Sequence, residues 1–266
     1  MRLRKLHICL LLLMLVSNTI YSQKLLTLKE LSLQKTFTSI EDALLAPDDV
    51  FILSLNYRGI ETVPPEIIKF KNLQYLSLDG NAIRSLPDEL EGLKNLQYID
   101  LGNNPRLMIK QVLKKLATLP NLISIGLSDN KISKLPEEIG KFKSLQLLGL
   151  ENNYIIELPS EIGNLRTLRV LYLANNHISA LPPEIGYMRS LQVLDLENNR
   201  IADLPNEIGN LYNLTDLNLS GNRINSLPYH IIKLKKLQKL DLRKNTKLKV
   251  ERERIKKLLP ETKIKF

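Results

Sequence analysis

The sequence predicts an α/β solenoid: a right-handed horseshoe with one parallel concave sheet and short helices or 3₁₀ turns on its convex side. Two observations carry this. A frame of 23 residues recurs through most of the chain, and within each copy the apolar spacing switches from two residues to three and four. A third agrees with them. Of 266 residues 44% are hydrophobic, yet Trp is absent and aromatics are only 5%, so Leu and Ile must carry the interior.

The frame is clearest in residues 145–167, LQLLGLENNYIIELPSEIGNLRT, set above 168–190, LRVLYLANNHISALPPEIGYMRS, and 191–213, LQVLDLENNRIADLPNEIGNLYN. It also fits 50–72, 73–95, 122–144 and 214–236. In its first half Leu194 and Leu196 point one way while Val193 and Asp195 point the other, which is strand periodicity. In its second half Leu204, Ile208 and Leu211 recur at helical spacing, giving a short turn on the opposite side. Two layers of unequal width must curve when stacked. A single copy cannot bury its own apolar face, so stability comes from neighbours.

Individual positions follow from the same geometry. The ninth position is Asn in eight copies: Asn81, Asn104, Asn130, Asn153, Asn176, Asn199, Asn222 and Asn245. There the chain turns out of the strand, and an amide that donates and accepts can serve the backbone groups left over, so these residues are read as a structural column. The first copy has Arg58 instead and reads as an adapted terminal coil. Pro64, Pro87, Pro136, Pro159, Pro182, Pro205 and Pro228 open the convex segments, where a missing N–H costs little. The glutamates two residues on, such as Glu138 and Glu161, suit a helix start rather than catalysis. Gly140, Gly163, Gly186 and Gly209 are expected to end the turns with positive φ.

The pattern breaks at residues 96–121, a coil of 26 residues in which Ile109, Val112, Leu113 and Leu116 predict an α-helix from about 108 to 118. Both ends of the stack need covering. At the front, Thr38-Ser39-Ile40-Glu41 reads as a capping box opening a short helix over Ala43-Leu44-Leu45 that Pro47 ends. At the back, Val250, Ile255, Leu258 and Leu259 form an amphipathic helix stopped by Pro260, and residues 263–266 add a last strand. Residues 23–37 are amphipathic at best. The organisation expected is an export signal at 1–22, an N-terminal segment and helical cap at 23–49, eight coils at 50–236 with the third longer, and a last repeat with a basic cap at 237–266.

The pattern L-x-x-L-x-L-x-x-N-x-I-x-x-L-P-x-E-I-G-x-L-x-x resembles leucine-rich-repeat proteins, in their 23-residue class. That class includes Ras-group and scribble-type scaffolds and secreted bacterial proteins, among them those of spirochaetes. The resemblance covers about residues 38–266. It is specific for fold and implies a module that binds another protein, without saying which.

The N-terminus favours the secreted branch. Met1 to Lys5 is a basic head, and Ile8 to Val16 is an apolar run too short to span a bilayer, which reads as a signal peptide cleaved near Ser22. The only cysteine, Cys9, lies inside it, so the mature chain would have no disulfide, thiolate ligand or Cys nucleophile. A secreted or extracytoplasmic binding module, a bacterial adhesin or effector, is the leading reading. The alternative is an intracellular scaffold regulating a small GTPase or phosphatase, which has no reason to carry an export signal. A receptor ectodomain comes third, lacking a membrane span and Cys-rich caps.

The partner-binding face is read from the strand positions that point away from the core: Ile52, Tyr75, Tyr98, Leu147, Val170, Tyr172, Val193, Asp195 and Asp216. The third positions would make an apolar ridge from Ile52 to Val193, with Asp100, Asp195, Asp216, Asp241, Glu151 and Glu197 as an acidic flank. Residues 233–266 hold 14 basic and 4 acidic side chains, a net charge equal to the +10 of the whole chain. An anionic surface is therefore a second candidate partner, at the C-terminal cap. No motif calls for a cofactor or metal, with His177 and His230 in separate copies. An enzyme is not expected, nor nucleic-acid binding, since the aromatic positions and the basic cap are not interleaved.

Overall fold

The computed structural model describes residues 25–266. The expected export signal at 1–22, with Cys9, lies outside the described residues. Eleven short strands form one all-parallel sheet in strict chain order. They are β1 (Thr36–Phe37), β2 (Ile52–Ser54), β3 (Tyr75–Ser77), β4 (Tyr98–Asp100), β5 (Ser124–Gly126), β6 (Leu147–Gly149), β7 (Val170–Tyr172), β8 (Val193–Asp195), β9 (Asp216–Asn218), β10 (Lys239–Asp241) and β11 (Lys263–Lys265). Register sets each repeat position against its equivalent, as in Val170↔Val193 and Val193↔Asp216. The middle residue of each strand enters the core, where Leu53, Leu76, Leu148, Leu171 and Leu194 are wholly buried. The flanking residues face the concave side, as the two-residue alternation requires.

The asparagine column lies at the exit from these strands. Asn176 donates from its Nδ2 to the carbonyls of Leu150 (2.9 Å) and Leu173 (3.1 Å), while its Oδ1 accepts the N–H of Ile155 (3.0 Å). Asn199 and Asn222 repeat the arrangement one coil on. Each amide thus satisfies backbone groups of two coils that no ladder reaches. At the front, Asn81 accepts from both Arg58 N–H (3.0 Å) and Ile60 N–H (3.1 Å), so the coil lacking its own asparagine is served by the next.

The eighth residue of the frame has positive φ in all nine coils: Tyr57, Gly80, Asn103, Asp129, Asn152, Asn175, Asn198, Gly221 and Lys244. The preference there for Asn, Asp and Gly follows, since these enter the left-handed region most readily. The glycines expected to have positive φ do not. Gly140, Gly163, Gly186 and Gly209 sit in the interior of 3₁₀ turns with ordinary φ. Their requirement is close approach between coils. A Cβ on Gly163 would lie 2.5 Å from the carbonyl oxygen of Glu184, and one on Gly186 2.7 Å from that of Glu207. The prolines stand just before these turns, and their carbonyls close them by accepting Ile139, Ile162 and Ile185 N–H groups at 3.0–3.1 Å.

The longer coil forms helix Ile109–Leu116, with Val112, Leu113 and Leu116 buried. Lys110 and Lys114 reach Glu138 of the following coil at 3.5 and 3.8 Å, and Lys115 reaches Asp88 of the preceding one at 2.6 Å, so the insertion is tied on both sides.

The ends depart from expectation in detail. The front helix runs Ile40–Leu44, and its cap is Ser39, whose hydroxyl accepts Asp42 N–H at 3.1 Å; Thr38 is not the cap, and Leu45 points outward. The box geometry occurs earlier, where a single-turn helix Leu28–Leu31 begins at Thr27. Strand β1 adds Phe37 to the core beside Leu53. At the back, helix Arg252–Leu258 buries Ile255 and is followed by buried Leu259 and by β11. Val250 is 87% exposed, because a 3₁₀ turn over Thr246–Glu251 precedes the helix and Leu248 takes the inward place.

Candidate binding surface on the concave sheet

The outward residues fall into two regions. Toward the N-terminal end, Ile52 and Tyr75 are half-buried and Tyr98 is 6% exposed. They are covered by the chain's own N-terminal segment: Leu28 and Leu31 of the single-turn helix, with Leu26, pack on Phe51, Ile52, Tyr75, Tyr98 and Ile123. The rings of Tyr75 and Tyr98 lie 6.1 Å apart and tilted by 31°, a favourable aromatic contact. Burial pushes both phenols above their usual range, and for Tyr75 the Asp100 charge adds to it.

Beneath the same segment lies a pair of side-chain amides. Gln74 Oε1 accepts the Leu26 N–H at 2.9 Å, Gln97 Nε2 donates to the Leu26 carbonyl at 3.1 Å, and the amides bond each other at 2.9 Å. Both glutamines are buried. Their roles were missed from the sequence, although the Leu-Gln opening recurs at Leu73-Gln74, Leu96-Gln97, Leu145-Gln146, Leu191-Gln192 and Leu237-Gln238.

The middle of the sheet is stripped of side chains at Gly126 and Gly149, where a Cβ would press on Asp100 Oδ1 (2.8 Å) and Glu151 Oε2 (3.0 Å). Asp100 faces this floor. Burial raises its pKa to about 6, the Gly102 N–H bonded to it opposes the rise, and the charges of Asp79 and Glu151 add to it. Leu147 and Val170, expected on an exposed ridge, are buried at 6% and 3%. A continuous exposed apolar ridge from Ile52 to Val193 is therefore absent. Of what the strand register aligns, the N-terminal segment covers Ile52, Tyr75 and Tyr98.

Toward the C-terminal end the face is open. Tyr172, Val193, Asp195 and Asp216 are half-exposed around a recess of about 330 Å³ that Lys239 and Lys263 also line. Lys239 Nζ meets Asp216 Oδ1 at 2.6 Å. The acidic flank has a structural share as well, for Asp195 and Asp241 accept the N–H two residues on, from Glu197 (3.0 Å) and Arg243 (3.2 Å). Arg243 also pairs with Asp241 side chain to side chain at 2.6 Å, and its bonds outweigh burial to lower that carboxyl's pKa. Lys263 and Lys265 of β11 join the recess, so its rim is mixed in sign rather than acidic. In the basic cap, Arg254 pairs with Glu251 and Lys256 with Glu253 at 2.6 and 2.9 Å, which leaves the remaining lysines in excess.

Among the described residues no group of three His, Asp or Glu side chains is placed to hold a metal, and no helix is long and apolar enough to cross a membrane.

Family profiles described as leucine-rich repeat region and leucine rich repeat match this chain, the first at residues 99–198 and 160–217, the second at 50–105 and 189–246. No curated protein matches the sequence. Among solved structures, a leucine-rich-repeat protein of Leptospira interrogans is 25% identical, covering 88% of this chain and all of that one, with a TM-score of 0.57. A plant peptide hormone receptor, solved in complex with the peptide RGF2, is 28% identical over 80% of this chain at a TM-score of 0.59. Toll from the Drosophila Toll–Spätzle complex is 26% identical over 79% at 0.65. This chain spans 39% of the plant receptor and 28% of the Toll chain. The architecture is that of a protein–protein interaction module.

Proposed function

The chain belongs to the leucine-rich-repeat family, and from that premise we propose that it is an exported binding module, an adhesin or effector. It would seat a protein partner on the open C-terminal part of its concave sheet. The observation that carries this reading is the recess bounded by Tyr172, Val193, Asp195, Asp216 and Lys239. Inward positions are dictated by the core, but outward ones are not, and here they combine an aromatic ring, an aliphatic floor and charges of both signs. That mixture of apolar centre and polar rim suits a protein interface. Tyr98 and its neighbours contribute less to an open face, since the chain's own segment covers them. Export is supported by the basic head and apolar run of residues 1–16. The excess lysines of the C-terminal cap offer an anionic surface a second, salt-sensitive contact.

The test has two arms. N-terminal sequencing from the native cell should find a chain beginning near Gln23 outside the cytoplasm; an intact Met1 inside it would overturn export in favour of an internal scaffold. For a partner recovered by the exported chain, Tyr172→Ala with Asp216→Ala should weaken binding by about 30-fold, the loss of roughly 2 kcal/mol typical of a central aromatic contact. Undiminished binding would move the site off this face.

A further inference from the structure

We propose that the N-terminal third of the concave sheet is a peptide-binding groove, held in this structure by the chain's own residues 25–34. Its ligand class is a short amphipathic segment with leucines three residues apart. The proposal rests on the concave sheet being the recognition face, and its occupant is already seated in the groove.

Four features distinguish this contact from an ordinary cap. First, it lies on the concave side and not over the open end of the core, which β1 and the helix Ile40–Leu44 close. Second, its apolar anchors are spaced for one helical turn: Leu28 and Leu31 are buried at 6% and 3% against Ile52, Tyr75 and Tyr98. Third, Gln74 and Gln97 engage both main-chain groups of Leu26, at 2.9 and 3.1 Å. Such a clamp reads backbone rather than side chain, as a neighbouring strand would, and accepts any L-residue there except proline. Fourth, the segment shapes itself: Thr27 N–H donates to Glu30 Oε2 at 2.7 Å and Glu30 N–H to Thr27 Oγ1 at 3.3 Å. Among the described residues its outer side, Thr27, Lys29, Ser32 and Leu33, is exposed.

A four-residue helix has no stability of its own, so the segment is ordered by the groove and leaves it as a unit. Tethered through Lys35 to β1, it acts at an effective concentration of about 1 mM. If its intrinsic affinity is about 100 μM, docking in cis would suppress binding of an equivalent free peptide by about tenfold.

The experiment uses the full chain and a fluorescein-labelled synthetic peptide of residues 25–35, followed by anisotropy. Leu28→Asp with Leu31→Asp in the chain should release the segment while leaving the groove intact. Saturable binding of the peptide at least tenfold tighter to this variant than to the unaltered chain is expected, and its loss when Gln97→Leu is added. The variant Leu26→Pro, which removes the N–H that Gln74 accepts, should give the same gain and serves if the double variant does not fold. No saturable binding to either released variant, or equal binding to released and unaltered chains, would overturn the proposal. Because the probe comes from this chain and the C-terminal recess is untouched, the result is independent of whether a foreign partner binds there.

Discussion

Strands β2–β4 and β7–β10 share one frame, one register and one asparagine column, yet the first region is covered by its own chain and the second is open. The difference lies wholly in residues the frame leaves unspecified. At the covered end the outward residues are Ile52, Tyr75 and Tyr98, which gain by leaving water, beside the amides of Gln74 and Gln97, whose burial is compensated by bonds to each other and to Leu26. At the open end they are Asp195, Asp216, Lys239 and Asp241, which do not, apart from Tyr172 and Val193 between them. The core is thus indifferent to what the concave face does. Stability and recognition are carried by alternate residues of the same three-residue strands.

If so, removing an element of the shared frame should cost the same in both regions. Asn104→Ala, under the covered end, and Asn222→Ala, under the open end, each leave a buried N–H, of Ile83 or Ile201, and two carbonyls without their amide. A loss of about 3 kcal/mol or more is expected for each in urea unfolding. Losses differing by more than about 1 kcal/mol would mean that the column is not uniform and that the cover stabilises the frame beneath it.

Outward residues should separate the regions. Tyr98→Ala removes a ring buried under Leu28 and Leu31 and should cost about 2–3 kcal/mol. Tyr172→Ala, half-exposed at the recess, should cost about 1 kcal/mol or less. The same urea series reads both, and equal costs would erase the distinction between covered and open.

The smallest effect distinguishes two aspartates at the same repeat position. Asp100 has its pKa raised to about 6, so the folded state favours its protonated form, and its charge opposes folding above that pH. Asp100→Asn should raise the melting temperature at pH 7, and the gain should fade as pH falls from 6 toward 4. Asp241 has its pKa lowered, since the bonds from Arg243 outweigh burial, and it stabilises the fold above the ordinary carboxyl range. Asp241→Asn should therefore lower the melting temperature slightly at pH 7 and lose that effect on acidification. Thermal scans between pH 2 and 7 check both, the Asp100 change falling between pH 6 and 4 and the Asp241 change below about pH 4, and parallel profiles would refute the contrast.

Much was legible in the residues themselves. A 23-residue apolar period leaves few ways to bury Leu194, Leu196, Ile201, Leu204 and Ile208 together, so the parallel solenoid, its 3₁₀ turns and the helix in the long coil follow from spacing. The exchange of bonds by Asn176 follows too, because only an amide donates and accepts at once. Two inferences failed for a common reason. Glycine permits positive φ and so predicts it at Gly163 and Gly186, whereas those sites lack a Cβ because the next coil's carbonyl fills the space. Tyr98, Leu147 and Val170 point outward and so predict an exposed ridge, yet all three are buried, Tyr98 beneath Leu28 and Leu31, so pointing outward does not ensure contact with water.

The sequence by itself determined the period, the handed stack and the identity of the core, since these depend on short-range spacing repeated until chance is exhausted. Only the tertiary structure decided that residues 25–34 fold back across Tyr98, that Gln74 and Gln97 close on the backbone of Leu26, and that the open face lies at the C-terminal end. Those outcomes join residues up to 71 positions apart that belong to no common period. Nothing in local spacing records which distant surface a short apolar segment will cover.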